Sequence, residues 1–436
     1  MRRTFALVFL WAVTASANPP DIYGFGARSI GMAGAMTGAV NDTTANFYNP
    51  AALTRNRFLQ IDTGYLFTHT ALHFNQQDAG VDEGNGTQLG VIVPGQVGPV
   101  GLAFGLSIFL PDARLSRLRA LPQHRPRFVV YDNRPQRVFI NTNLAIQPLP
   151  WLHIGGGVAF LTETRGTLQL EGVLFSPGKE RSVLTAGLDV HFRTIRYPSA
   201  GLLFTPNEQW TIGLTYREEV RVELDIAATV EGIIRLNNVL DFPGSFTLSS
   251  FSPNLYTPRQ LWLGTAWKPI DELLISLDVG WLNWATYTPP TSTIQIDLDV
   301  EGLDLENLIP PSDTALPADF HDIVALRAGV EGSISLGSQV VLDLRTGYAF
   351  EPTPAPNQPG RTNFVDSHKH TIAVGLGLTI RDWNPWVAAP ITVDVAGQAI
   401  LLEDRDYQKD DPTDLIGDYS AGGQLFTFAS TVRWRF

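Results

Sequence analysis

The chain has no cysteine among its 436 residues. That excludes disulfides, thiolate metal sites and cysteine nucleophiles, and it suits a chain that crosses an oxidising periplasm. Charged residues are scarce, at 17%. Past the N-terminus no segment offers the roughly 18 continuous apolar residues that a membrane helix needs. Basic residues are outnumbered, 31 against 43 acidic, for a net charge of -12. Without a basic face, nucleic acid is not an expected partner. A mean hydropathy of +0.02 with 39 Gly and 30 Pro fits neither a disordered chain nor a helical membrane protein. Also missing are a GxSxG elbow, an HExxH helix and a phosphate-binding loop. The scattered histidines make no Ser/His/acid set, so the reading is a non-enzyme with no cofactor and no metal. His368 and His370, with Asp366 nearby, share one face of a strand as metal ligands do. At a strand mouth beside a loop, solvent-exposed histidine is the better reading.

What is present begins with MRRTFALVFLWAVTASA. Arg2 and Arg3 form an n-region, Phe5 to Val13 an apolar h-region, and Ala15-Ser16-Ala17 a cleavage pattern. Residues 1–17 are therefore expected to be a signal peptide, with the mature chain starting at Asn18. An exported chain without membrane helices can sit in a membrane only as a closed barrel, because only that form pairs every backbone polar group in lipid.

Period-two alternation dominates the rest. In VVLDLRTGYAF, Val340, Leu342, Leu344, Thr346, Tyr348 and Phe350 oppose Val341, Asp343, Arg345, Gly347 and Ala349. In HTIAVGLGLTI, Ile372, Val374, Leu376, Leu378 and Ile380 alternate with small residues. Alternation alone does not choose between a sandwich with an apolar inside and a barrel with an apolar outside. The loops do. Strand candidates lie near 57–70, 86–94, 97–110, 136–147, 151–170, 182–204, 209–230, 257–267, 272–286, 321–331, 338–350, 367–380, 390–403 and 421–436. Their connections alternate short and long, with long ones near 71–85, 111–135, 171–181, 231–256, 287–320, 351–366 and 404–420. An even strand number with short turns at one end and long loops at the other is the outer-membrane arrangement. The expected fold is all-β, a membrane β-barrel of about 14 antiparallel strands over 57–436. The last strand carries Phe426, Phe428, Val432, Trp434 and Phe436 on one face. A terminal Phe on an aromatic strand is similar to the signal by which the barrel-assembly machinery recognises its clients. Trp262, Trp267, Trp281, Trp284, Trp383 and Trp386 are candidates for interfacial girdles.

Residues 18–56 are different. GFGARSIGMAGAMTGAVNDTTANFYNPAAL runs from Gly24 to Leu53 without clean alternation. Its glycines permit tight packing, and Asn49-Pro50 makes an abrupt bend. Such a segment is a candidate hatch, a plug folded inside the lumen of a barrel that would otherwise hold water.

GFGARSIGMAGA followed by ANFYNPAAL resembles the N-terminal hatch of the FadL/TodX-type outer-membrane transporters of long-chain fatty acids and hydrocarbons. LWLGTAWKPIDELLISLDVGWLNWATY (261–287) and FHDIVALRAGVEGSISLGSQVVLDLRTGYAFEPTPAP (320–356) are similar to later hairpins of the same family. The resemblance implies a fourteen-stranded barrel with an N-terminal hatch. It also implies capture of a hydrophobic molecule at the outer loops, transfer to a lumen pocket, hatch movement and lateral exit at an irregular strand into outer-membrane lipid.

On that reading Phe47, Tyr48, Asn49, Pro50 and Ala51 are the hatch and gating candidates, with Asn49 holding the bend through side-chain hydrogen bonds. Gly105 and Pro111 are candidates for a strand kink, since Pro cannot donate to the ladder; a strand simply ending at Pro111 is as good a reading. Arg114, Leu115, Leu118 and Phe128, in a loop rich in Arg and apolar groups, suit capture of an acyl tail and carboxylate. The same loop suits contact with acidic lipopolysaccharide. Asp343 and Arg345 face the lumen and read as a structural ion pair. Two other functions stand beside transport: a diffusion porin for polar solutes, and a structural or secretion-associated barrel.

Overall fold

A computed structural model describes residues 19–112, 125–131, 138–175, 183–236, 240–288, 293–300, 316–381, 390–412 and 414–436, with backbone alone at 161–195, 222–255 and 293–300. The expected signal peptide, Arg114, Leu115, Leu118, Trp383 and Trp386 lie outside the described residues.

Fourteen strands close on themselves. In chain order they are β1 (Gln60–Phe74), β2 (Gly86–Val97), β3 (Val100–Pro111), β4 (Phe139–Leu149), β5 (Leu152–Phe175), β6 (Val183–Phe204) and β7 (Trp210–Arg217). Then follow β8 (Arg259–Ile270), β9 (Leu273–Asn283), β10 (Ile323–Leu336), β11 (Val340–Glu351), β12 (Lys369–Ile380), β13 (Ile391–Tyr407) and β14 (Tyr419–Arg435). Each strand pairs antiparallel with the next, and β14 returns to β1 from Gln60 opposite Arg435 to Phe74 opposite Ala421. Closure leaves no ring edge, as lipid requires. Short turns such as Gly98-Pro99, where Gly98 takes φ 59°, sit at one end. The long segments sit at the other.

The alternation resolves as a lipid-facing barrel. On β12, Ile372, Val374 and Leu376 are 52%, 60% and 50% exposed, while Ala373 between them is 1% exposed. At the short-turn end Trp210 stacks on Trp267 with centroids 5.6 Å apart, and Trp151 meets Phe204 edge-on at 5.4 Å. These exposed rings form an interfacial girdle. Trp281 joins the outward-facing set, but Trp262 and Trp284 do not: both are 2% exposed. Trp262 follows the inward parity of β8, between outward Leu261 and Leu263.

The expected strand at 209–230 and loop at 231–256 are corrected. β7 ends at Arg217, and a separate hairpin follows, Val220–Leu236 with Leu240–Thr257. Its first arm runs parallel to β5 along 165–175, and Thr293–Val300 adds to its second. Alternation continues unbroken through Arg217, so period alone does not separate a ring strand from one beyond the membrane. β5 and β6, at 24 and 22 residues, likewise exceed the roughly 9–11 residues that cross a bilayer.

Candidate functional site

The N-terminal segment fills the lumen. It contains α1 (Pro19–Tyr23), α2 (Ala27–Gly31), α3 (Ala45–Tyr48) and a 3-10 turn, Pro50–Arg55. Helices of four or five residues do not persist alone in water. Their shape is imposed by the wall, and the wall is cut to receive them. A Cβ at Gly155 would strike the Pro50–Ala51 peptide, one at Gly201 the Asn49 side chain, one at Gly213 the Thr37 carbonyl, and one at Gly105 the Asn46 amide oxygen. Asn49 is extended, at φ -158°. Its Nδ2 donates to the carbonyls of Thr37 at 2.9 Å and Leu202 at 3.1 Å, and its Oδ1 accepts from the Ala51 amide at 3.1 Å. One side chain thus ties the bend, the rest of the segment and β6 together. Asn141 and Asn143 of β4 hold the Asn46 carbonyl in the same way.

The opposite side of the segment is held by charge. Arg28 of α2 pairs with Glu331 at 2.7 Å and Asp42 at 3.2 Å. Arg433 pairs with Asp42 and Asp62, each at 3.1 Å, and reaches Asp394 at 3.6 Å. Arg345 completes the network with Glu331 at 2.6 Å, Asp394 at 2.7 Å and Asp343 at 3.1 Å. The expected Asp343–Arg345 pair is therefore part of a larger lock joining the segment to β1, β10, β11, β13 and β14. Charges this buried persist only when paired and hydrogen-bonded.

Above this lock lies a cavity of about 100 Å³. Phe47, Tyr48 and Ile22 floor it, and Tyr131 and Trp284 of the outer loops cap it. Phe47 meets Tyr48 edge-on at 5.0 Å, and the Tyr48 hydroxyl accepts from the Phe25 amide at 3.3 Å. Arg217, Arg327 and Lys369 give the cavity its charge. Arg217 pairs with Asp21 at 3.2 Å. Lys369 pairs with Glu351 at 2.8 Å and Asp366 at 3.3 Å. Burial pushes the carboxyl of Asp366, in the loop before β12, upward against the pull of Lys369. Arg327 lies 3.7 Å over the Trp262 ring and donates to the Gly34 carbonyl at 3.3 Å. It forms no ion pair among the described residues: its register neighbour Asp278 accepts from the Thr37 amide instead.

Phe47 and Tyr48 thus line the cavity, whereas Asn49, Pro50 and Ala51 anchor the segment beneath it. Gly105, expected at a kink, sits in an uninterrupted ladder. β3 runs in unbroken register with β2 and β4, and Gly105 makes room for Asn46. Pro111 is the last residue of β3, opposite Gly86. Phe128 is not an open capture surface: it is 1% exposed, stacked on Phe74 at 4.9 Å and covered by Tyr131. His368 accepts from the Thr353 amide at 3.1 Å, and His370 lies between the Tyr348 hydroxyl at 2.7 Å and Glu403 at 2.9 Å. Among the described residues no cluster of metal-ligand type forms. Sequence reasoning missed Asp21, Arg217, Arg327 and Trp284. The inward parity of Thr211, Gly213, Thr215 and Arg217 on β7 was the available signal for one of them.

Residues 8–436 match the family model described as outer membrane protein transport protein (OMPP1/FadL/TodX). Alkane uptake protein A of Marinobacter nauticus is 22% identical over 418 residues, 90% of this chain and 86% of that protein. A FadL homologue of Pseudomonas aeruginosa superposes with a TM-score of 0.58 at 14% identity, covering 94% of this chain and 98% of that one. The toluene transporter TodX of P. putida superposes at 0.53 with 14% identity, covering 95% and 99%. Both superpositions span the barrel and support the fold. The chain belongs to the OMPP1/FadL/TodX family, the outer-membrane barrels that transport hydrophobic compounds.

Proposed function

We propose that the protein takes up long-chain fatty acids, binding the acyl chain against Phe47, Ile22 and Trp284 and the carboxylate on Arg327, and releases them sideways into membrane lipid. The observation that carries this is Arg327, a guanidinium on a mixed polar and apolar cavity whose other cations, Arg217 and Lys369, are ion-paired. It is held by the Trp262 ring and Gly34 with no carboxylate of its own among the described residues. A bare alkane gives such a group nothing to do, while a carboxylate gives it a charge-assisted partner. The relatives carry alkanes and toluene by name, so hydrocarbon uptake is the coarser reading and acid specificity the finer one.

The cavity, at about 100 Å³, is well below the roughly 300 Å³ at which ligand pockets begin. Residues 18–56 therefore act as a hatch in its closed position, and cargo binds as the hatch shifts. No covalent chemistry is needed, and a concentration gradient drives the step. Residues 1–17 direct export, Phe436 addresses the barrel-assembly machinery, and the arginine-rich loop 111–135 meets lipopolysaccharide.

The test is binding of palmitate and hexadecane to the purified barrel, wild type and Arg327→Met. A charge-assisted bond contributes about 1.5–3 kcal/mol, so palmitate should weaken by roughly ten- to hundredfold while hexadecane stays put. Equal loss for both ligands, or none for palmitate, would refute the assignment.

A further inference from the structure

The barrel wall is unevenly zipped. β6 and β7 pair only from Ser199 opposite Arg217 to Phe204 opposite Ile212. One further bond, from the Glu218 amide to the Pro198 carbonyl at 3.1 Å, ends the ladder. In an antiparallel ladder that pair would exchange two bonds. Pro198 has no amide hydrogen to return. Beyond it β6 continues to Val183 with β5 on one edge. The chain after Glu218 turns away to pair with Leu240–Thr257 and the far edge of β5. Among the described residues, the β7-facing edge of β6 above Ser199 has no strand partner.

The lumen comes close to the surface at this seam. A void of about 10 Å³ lies behind it, lined by Tyr197, Ser199, Arg217 and Glu218. It shares Asp21, Phe47, Arg217, Thr257 and Gln260 with the cavity above the ionic lock. Glu218 touches this void and also reaches the outer surface, where it pairs with Arg259 at 2.8 Å. A half-exposed pair of that kind is a weak latch. Arg217 stands between the two spaces. Its guanidinium lies 4.3 Å over the Phe47 ring, 3.2 Å from Asp21 of α1 and 2.9 Å from Gln260.

We propose that cargo passes between the cavity and membrane lipid through the β6–β7 seam at Pro198 and Glu218, with the Arg217 side chain as its gate. This rests on the reading of hydrophobic cargo above and locates its lateral step. β3, with unbroken pairing on both sides, is not the weak point. The height is suitable. Just below the seam, Ala200 lies in one row with Tyr216, Leu261 and Trp281 across four strands. That row borders the apolar band, so cargo crossing there meets the outer edge of the hydrocarbon. Because Arg217 is bound to Asp21, movement of α1 and opening of the seam are one event.

The chain's lack of cysteine makes the test clean. Pro198→Cys with Glu218→Cys places two thiols across the seam. Leu376→Cys with Val395→Cys does the same across the fully paired β12–β13 wall. Uptake of radiolabelled palmitate is measured in cells lacking their own transporter, oxidised and then reduced with dithiothreitol, and palmitate binding is measured on the purified proteins. Oxidation of the seam pair should cut initial uptake at least tenfold, reversibly, with binding within twofold, and the control pair should be indifferent. Complete cross-linking with unchanged uptake, or equal inhibition by the control, would overturn the seam while binding leaves the cargo reading intact. Wild-type protein that binds neither palmitate nor hexadecane would overturn both. If the first pair does not assemble, Ala200→Cys with Tyr216→Cys locks the same seam one row lower.

Discussion

Replacing Arg28 by Ala should unlatch the lumen segment without unfolding the barrel. Arg28 gives Glu331 two bonds, at 2.7 and 2.9 Å, and gives Asn41 and Asp42 one each, at 2.8 and 3.2 Å. Removing one partner of a buried ion pair typically costs 3–5 kcal/mol. Here neither carboxylate is fully orphaned: Glu331 keeps Arg345 at 2.6 Å and Asp42 keeps Arg433 at 3.1 Å. The cost therefore falls to about 2–3 kcal/mol, near the value of charged hydrogen bonds, and raises the open population roughly 30- to 150-fold. The barrel ladders do not contain Arg28, so the cost appears in the closed–open equilibrium of the segment. The assay is ion conductance in planar bilayers, with heat-dependent gel mobility reporting that the barrel has folded. Wild type should be almost silent and Arg28→Ala should show frequent openings. A folded Arg28→Ala barrel as silent as wild type would show that the ionic lock does not hold the hatch.

The remaining predictions use the same measurements. Gly155→Val places side-chain carbons in the Pro50–Ala51 peptide, so the segment is displaced and the folded barrel leaks; a tight barrel refutes the cushion argument. Asn49→Ala strands the Thr37 and Leu202 carbonyls and the Ala51 amide, and at about 1–3 kcal/mol for buried groups left unpaired its openings should be comparable to those of Arg28→Ala. Deleting residues 18–45 removes both charged anchors, and unchanged conductance in a folded barrel would rule out gating by this segment. Leu376→Arg, on the lipid face at 50% exposure, should cost about 2–4 kcal/mol in lipid, read as a lower denaturation midpoint in vesicles and absent if that face meets water.

Much of this was legible in the sequence because period two and turn spacing are local. The β11 stretch from Val340 to Glu351 announces its two faces, and the inward Asp343 and Arg345 do pair. What escaped was long-range. Arg217 finds Asp21 across 196 positions, a match set by where α1 rests against the wall. Gly105 in a strand suggested a bend, but a glycine there serves equally for close approach, and only Asn46 on the other side decides which. Trp262 and Trp284 read as girdle candidates because they lie near strand ends or turns, yet both are buried. Parity on β8 already placed Trp262 inward, and parity should have outranked position.

The two attachments of the lumen segment differ in kind, and the difference bears on which part would move in the proposed hatch. On the β3–β7 side, Asn46, Asn49 and Pro50 sit in notches left by glycines, held by neutral bonds to backbone carbonyls. Shape holds this side, and a packed interior resists small shifts. On the β10–β14 side, α2 is held by charges that each keep a second partner. Such a network can exchange partners without exposing a bare charge. α1 is tied by Asp21 to Arg217 and by the Tyr23 carbonyl to Gln398 at 2.9 Å. On the hatch reading proposed above, residues 45–55 are accordingly the expected fixed base. On that reading residues 19–34 are the part expected to move, and they would carry Asp21 and Ile22 of the cavity with them. On the proposed transport reading, a hatch that swung on Asn49 would enlarge the cavity and withdraw Asp21 from Arg217 in one motion, and so couple cargo binding to release.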